Sequence, residues 1–143
     1  MTAYVLDASV AAKWFLPAAG EPLAEDALRI LAEYRAGQMH LSAPDLFWPE
    51  LGNILWKAVR QRRISRATAE EAIEALEREE ITTAPSAPLL REAFTIAAVF
   101  DRTVYDGVYI ALANRSGTPL VTADERLANA LAARFPVRWL GAL

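Results

Sequence analysis

The stretch Ala3-Tyr4-Val5-Leu6-Asp7-Ala8-Ser9 decides how the rest of the chain is read. Tyr4, Val5 and Leu6 form a short apolar, partly β-branched run, the pattern of a strand buried on both faces. Asp7 ends it. Val10, Trp14 and Phe15 then recur at helical spacing, so a helix is expected to begin at once. A carboxylate at the carboxyl end of a buried strand sits where open α/β sheets place their ligands. Asp is also a favoured helix N-cap, so Asp7 reads either as a cap or as a chemical group. The choice turns on whether other carboxylates converge on it.

Outward from Asp7, the alternation of strand and helix continues to the C-terminus. Leu23, Ala27, Ile30, Leu31 and Tyr34 mark a helix with Gly37 placed as its C-cap. Met39-His40-Leu41-Ser42 reads as a second strand. Asp45 is placed to cap a helix whose face is Phe47, Leu51, Ile54, Leu55, Ala58 and Val59, with Pro49 expected to start or bend it. Ser65 or Thr68 caps the next, Glu-rich helix. Ile81-Thr82-Thr83-Ala84 is a weak third strand. Helices follow through Leu89–Phe100 and from Val104 to Gly117, separated by Asp101-Arg102-Thr103. Pro119-Leu120-Val121-Thr122 is a fourth strand, Asp124 caps a helix carrying Leu127, Ala130 and Leu131, and Val137–Leu140 is a terminal strand. Such alternation implies an α/β fold with a mostly parallel sheet covered on both faces. No repeat or linker divides residues 1–143, which read as a single domain.

The composition narrows the chemistry. The chain has 143 residues, 54% of them hydrophobic, enough for one domain with a full core. Its apolar runs are short and interrupted by charge, so none is expected to span a membrane, and no signal peptide precedes the first strand; a cytoplasmic location is expected. With no cysteine, disulfides, thiolate metal sites and cysteine nucleophiles are excluded. With His40 the only histidine, a multi-His zinc site and a two-histidine ribonuclease mechanism are excluded as well; His40 itself reads as structural. The net charge of −3 argues against a wholly basic nucleic-acid surface but leaves room for a local one.

Four acids stand out by position: Asp7 after the first strand, Glu50 near the start of the helix after the second, Asp106 in the first turn of the helix before the fourth, and Asp124 after the fourth. The carboxyl ends of parallel strands share one edge of a sheet, so Asp7, Glu50 and Asp124 are placed to meet there, and Asp106 joins them if its helix starts at that edge. Each alone also fits a first-turn acid favoured by the helix dipole. Clustered carboxylates repel one another and call for a proton or a cation. Hard oxygen donors favour Mg²⁺ or Mn²⁺, and such a site suits metal-assisted phosphodiester hydrolysis without a histidine base. Ser9 and Thr122 stand beside Asp7 and Asp124 as orienting hydroxyls or as ordinary caps.

Four segments carry a resemblance. Val5-Leu6-Asp7-Ala8-Ser9, Pro49-Glu50-Leu51, Tyr105-Asp106-Gly107-Val108-Tyr109-Ile110-Ala111-Leu112-Ala113 and Leu120-Val121-Thr122-Ala123-Asp124-Glu125-Arg126-Leu127 resemble, in order, the motifs of the PIN-domain ribonucleases, above all VapC-type toxins of toxin–antitoxin pairs. The resemblance spans essentially the whole chain. It implies a three-layer α/β/α sandwich around a parallel sheet of about five strands, and Mg²⁺- or Mn²⁺-dependent endonucleolytic cleavage of RNA, with structured RNA such as tRNA as the expected substrate. It assigns Asp7, Glu50, Asp106 and Asp124 to the catalytic metal site and Ser9 and Thr122 to supporting hydroxyls, with Asp101 as an additional acid. It implies two partners, a cognate VapB-type antitoxin and a second copy of the chain. A nuclease of RNA processing, or an inactive PIN-fold binding module, are the alternatives. The departures are Pro49 before the Glu position and Gly107 after Asp106, where glycine costs about 1 kcal/mol of helix propensity.

Positive charge collects at Lys57, Arg60, Arg62, Arg63 and Arg66, as a phosphate grip or as a C-terminal turn favoured by the helix dipole. Lys13 and Arg102 lie closer to the acids, as RNA contacts or in salt bridges. Most of Trp14, Phe15, Phe47, Trp48 and Trp56 read as core, and any left exposed would suit a partner helix or a second subunit.

Overall fold

Five parallel strands form one sheet in the order β3-β2-β1-β4-β5 in a computed structural model describing residues 1–143: β1 (Thr2–Leu6), β2 (Met39–Pro44), β3 (Thr82–Ala84), β4 (Leu120–Thr122) and β5 (Val137–Trp139). Between them run seven α-helices: α1 (Ala8–Ala11), continued by a 3-10 turn over Ala12–Trp14, α2 (Ala24–Arg35), α3 (Phe47–Arg60), α4 (Arg66–Arg78), α5 (Leu90–Phe100), α6 (Val104–Ser116) and α7 (Glu125–Leu131). None is long and apolar enough to cross a membrane.

Handedness explains the layers. Parallel crossovers are right-handed, so the direction of travel across the sheet fixes which face the connecting helix covers. From β1 to β3 the chain moves one way, and α1–α4 pack on one face with Tyr4, Leu6, Leu41 and Val121. It then crosses back to β4 and β5, and α5–α7 pack on the other face with Val5, Leu120 and Val137. Tyr4, Val5 and Leu6 therefore serve opposite faces in alternation, as a central strand requires. The result is the expected three-layer α/β/α sandwich.

Local signals account for most element ends. Ser65 caps α4 by accepting from the Thr68 N–H at 3.1 Å, and Gly37 follows α2 with φ 73°. Two expectations need correction. Helix α3 begins at Phe47, two residues before Pro49, so Pro49 falls in the first turn, where no helical N–H bond is due. Asp45 does not cap α3 but accepts from the Ser86 N–H at 3.2 Å, tying the end of β2 to the segment after β3. In α7 the buried partner of Leu127 and Leu131 is Ala128, and Ala130 faces solvent.

Helix α6 lies between α5 and the sheet and buries Gly107, Val108, Tyr109, Ile110, Ala111 and Ala113, residues spread around most of its circumference. Gly107 is the point of closest approach. A Cβ there would stand 2.9 Å from the Ala93 carbonyl carbon and nearer still to its oxygen, which is backbone and cannot turn aside. The glycine that weakens α6 as an isolated helix thus lets it dock. Gly107→Ala is expected to lower stability by about 1–3 kcal/mol in denaturant unfolding, the overpacking cost exceeding the gain of about 1 kcal/mol in helix propensity.

Candidate active site

The strand order reverses between β1 and β4, where helices leave toward opposite faces and open a crevice outside the strand ends. Asp7 stands at this point. Its backbone N–H donates to the Val121 carbonyl at 3.1 Å, closing the β1–β4 ladder. Its carboxylate does two things at once. Oδ1 accepts from the Ser9 N–H at 3.2 Å and caps α1, while Oδ2 accepts from the Thr122 hydroxyl at 2.7 Å. Thr122 is fully buried, and its hydroxyl in turn accepts from the Asp124 N–H at 3.1 Å. The Ser9 hydroxyl accepts from the Ala123 N–H at 3.2 Å, so Ser9 clamps the loop after β4. Asp124 caps α7 through Oδ1, which accepts from the Leu127 N–H at 3.1 Å, and leaves Oδ2 free of the cap.

Glu50 reaches the same edge from the first turn of α3, and Asp106 from the first turn of α6, where Thr103 caps the helix by accepting from the Asp106 N–H at 3.0 Å. Burial pushes the Glu50 carboxyl up to about 7, helped by the charges of Asp7 and Asp106. Burial also raises Asp7, with Asp106 adding to it against hydrogen bonds from Thr122 and Ser9. Asp106 is raised chiefly by burial and by Asp124, against the opposing charge of Arg102. The four acids are thus electrostatically linked, Asp7, Glu50 and Asp106 to one another and Asp124 through Asp106. No three of them close on one point tightly enough to enclose a metal ion by themselves.

Tyr109 is a neighbour that sequence reading passed over. It is buried one turn beyond Asp106, its hydroxyl 3.5 Å from Glu50 Oε2, and burial with the charges of Asp7 and Glu50 pushes its phenol pKa well up, holding it neutral. The spacing of three from Asp106 puts both on one face of α6, a signal present in the sequence. Beside Glu50 and Asp106 opens a groove of about 580 Å³, lined also by Asn53, Thr103 and Tyr105.

Other expected participants lie elsewhere. Lys13 is salt-bridged rather than available to RNA: its ammonium is buried against Glu21 at 2.9 Å and the Pro22 carbonyl at 2.6 Å. Glu21 also holds Arg63 at 2.9 Å, and although burial opposes its charge these two cations hold its carboxyl below the usual carboxylate range. Asp101 ends α5 in a left-handed conformation, φ 53°, and its side chain is exposed, as is that of Glu125. His40 is exposed on β2. Arg102 does reach the acids: Nε lies 3.4 Å from Asp106 Oδ2 and an Nη 3.5 Å from Asp124 Oδ2.

Two outcomes follow. Without divalent cations, folded Glu50 keeps its proton to about pH 7, whereas the unfolded chain releases it near 4.5, so stability is lost as pH rises through this window. Thermal unfolding in chelator is expected to show a falling midpoint between about pH 5 and 8, and Glu50→Gln to flatten the slope. Glu21, lowered rather than raised, acts only at lower pH. Lys13→Met is expected to cost about 2 kcal/mol in denaturant unfolding by stripping a buried carboxylate of a partner, while the folded variant's affinity for RNA in a filter-binding assay stays unchanged.

Known proteins resemble this chain in sequence and in fold. The PIN domain family matches residues 4–131. Ribonuclease VapC3 of Pyrobaculum aerophilum is 33% identical over 134 residues, covering 92% of this chain and 94% of that protein. Ribonuclease VapC1 of Mycobacterium tuberculosis is 38% identical over 89 residues, 62% of this chain and 66% of that one. The crystal structure of PAE2754 from Pyrobaculum aerophilum superposes with a TM-score of 0.73 over 99% of this chain and 85% of that one, at 23% identity, which speaks to the fold. The chain belongs to the PIN-domain family, among its VapC-type ribonucleases.

Proposed function

We propose that residues 1–143 form one metal-dependent nuclease domain, the toxin of a VapBC-type pair, cutting RNA endonucleolytically at the edge where Asp7, Glu50, Asp106 and Asp124 stand. The observation that carries this is electrostatic. Three acids at one strand edge are raised together by burial and by mutual repulsion, and a fold gains nothing from that charge unless a cation or substrate uses it.

The donor set fits Mg²⁺ or Mn²⁺. Every donor is a hard oxygen, and Mg²⁺ keeps several waters and binds through one or two carboxylates together with substrate phosphates. Carboxylates that share an edge without forming a closed cage suit such partial ligation. Asp7, Glu50, Asp106 and Asp124 would hold the ion, which when bound supplies an activated water and neutralises charge on the phosphodiester. The protein's own part is orientation. Thr122 and Ser9 fix Asp7, the Leu127 N–H fixes one oxygen of Asp124, and Tyr109 faces Glu50. The groove beside Glu50 and Asp106 would take the RNA strand, with Tyr105, 67% exposed, offering a ring against which a base can stack. Lys57, Arg60 and Arg62 are exposed toward the far end of α3 and are left to contact more distant phosphates.

The partners follow from surfaces the fold leaves open. Trp48, Leu51, Ile73 and Leu76 line an apolar groove of about 450 Å³ between α3 and α4, with Trp56 55% exposed on α3, a shape suited to an amphipathic helix of the antitoxin. A second copy would cover Leu90 and Phe94, one turn apart and both left exposed by α5.

Purified chain incubated with total tRNA and mRNA in Mg²⁺ or Mn²⁺ is expected to give discrete fragments that vanish in chelator. Asp106→Asn, prepared in parallel, is expected to cut about a hundredfold more slowly, since ligand loss removes several kcal/mol of transition-state stabilisation. RNA bound but left intact under every condition would favour the inactive binding module.

A further inference from the structure

Arg102 is the one cation among the acids, and its attachment is unusual. Its backbone is fixed on both sides. Asp101 closes α5 in the left-handed conformation, the Arg102 N–H donates to the Ala97 carbonyl at 3.1 Å, and Thr103 caps α6. The guanidinium at the end of this fixed backbone is 23% exposed and lies between Asp106 and Asp124, 3.4 and 3.5 Å from the two Oδ2 atoms. Nε is wholly screened from solvent and meets Asp106 Oδ2 at ion-pair distance without a well-aligned N–H bond. Arginine normally meets a carboxylate with short, paired N–H bonds. Here it meets two at ion-pair distance only.

The oxygens it faces are telling. Asp124 Oδ1 is committed to capping α7 and Oδ2 is the one left over. Asp106 presents Oδ2 to Arg102 at ion-pair distance. Arg102 thus neutralises one oxygen of each carboxylate at the acidic edge through two long ion pairs.

We propose that Arg102 is the internal counter-cation of the acidic edge, occupying the space between Asp106 and Asp124 that a divalent cation takes, so that cation binding and release of the guanidinium are coupled. This rests on the metal-dependent reading above. In the metal-free chain Arg102 offsets part of the repulsion between Asp106 and Asp124. A divalent ion held by these oxygens would displace the guanidinium, leaving it free to meet an RNA phosphate. The side chain therefore weakens metal binding in the absence of RNA and regains an anion when RNA is present.

The test uses Mn²⁺ alone, titrated calorimetrically into the full chain without RNA. Arg102→Gln is expected to bind Mn²⁺ about threefold to tenfold more tightly than the unaltered protein, the scale of two partly exposed ion pairs. Arg102→Lys, which keeps the charge but reaches one carboxylate at a time, should fall between. Arg91→Gln makes the same change in net charge from an exposed position at the other end of α5 and should leave the affinity unchanged. Thermal unfolding adds a readout that reverses sign. Arg102→Gln should melt below the unaltered protein in chelator and gain more from saturating Mn²⁺. Equal or weaker Mn²⁺ binding by Arg102→Gln, or equal tightening by Arg91→Gln, would overturn the proposal while leaving the metal site standing. Absence of Mn²⁺ binding in every variant would instead overturn the metal-dependent reading and the proposal with it.

Discussion

The structure depends on a buried carboxylate at the junction of β1 and β4. Asp7 sits where two neighbouring strands send their chains to opposite faces, and a charge there is costly unless every lone pair has a purpose. Its backbone N–H completes the ladder to Val121, one oxygen caps α1, and the other takes the Thr122 hydroxyl. Thr122 and Ser9 pass the constraint on by fixing the loop that carries Asp124. The polar groups at this edge thus form a connected set, and the geometry of the acids is inherited from the hydrogen bonds that end two strands and begin two helices.

Capping and catalysis are often treated as rival explanations for an acid at the start of a helix. Here the proposed site leaves room for both. Asp124 gives Oδ1 to the Leu127 N–H and leaves Oδ2 outside the cap, while Asp7 divides its oxygens between the Ser9 N–H and the Thr122 hydroxyl. The capping oxygen removes rotational freedom from the side chain, so the other arrives already aimed. Glu50 and Asp106 use a different device: they ride in the first turns of α3 and α6, whose positive ends favour negative charge, and Thr103 rather than the acid closes the second of these helices.

Much of this was legible in the sequence because its signals are local. Tyr4-Val5-Leu6 before Asp7 and Leu120-Val121-Thr122 before Asp124 each state a strand, its end and a cap within a few residues, and strand ends in a parallel sheet share an edge by construction. What escaped was set by tertiary contact. Nothing near Gly107 announces the Ala93 backbone that requires it, since that contact joins two helices. For Lys13 the choice between RNA contact and salt bridge stays open in the sequence, because its partner, Glu21, lies across a turn whose path no local pattern fixes. Asp45 has the chemistry of a cap and the position of one, yet the Ser86 N–H offered a bond that helped close the end of the sheet. Pro49 looked like a boundary only until the helix start was known to lie two residues earlier.

The sheet has a further consequence for how copies of this chain behave when crowded. Both edge strands, β3 and β5, are three residues long, whereas β1 and β2 in the interior have five and six. A short edge presents too few unpaired N–H and C=O groups to template another strand, which is how natural sheets avoid growing into fibres. Association between chains is thereby steered away from the sheet and toward helix surfaces, where contacts are set by side chains and can be chosen partner by partner.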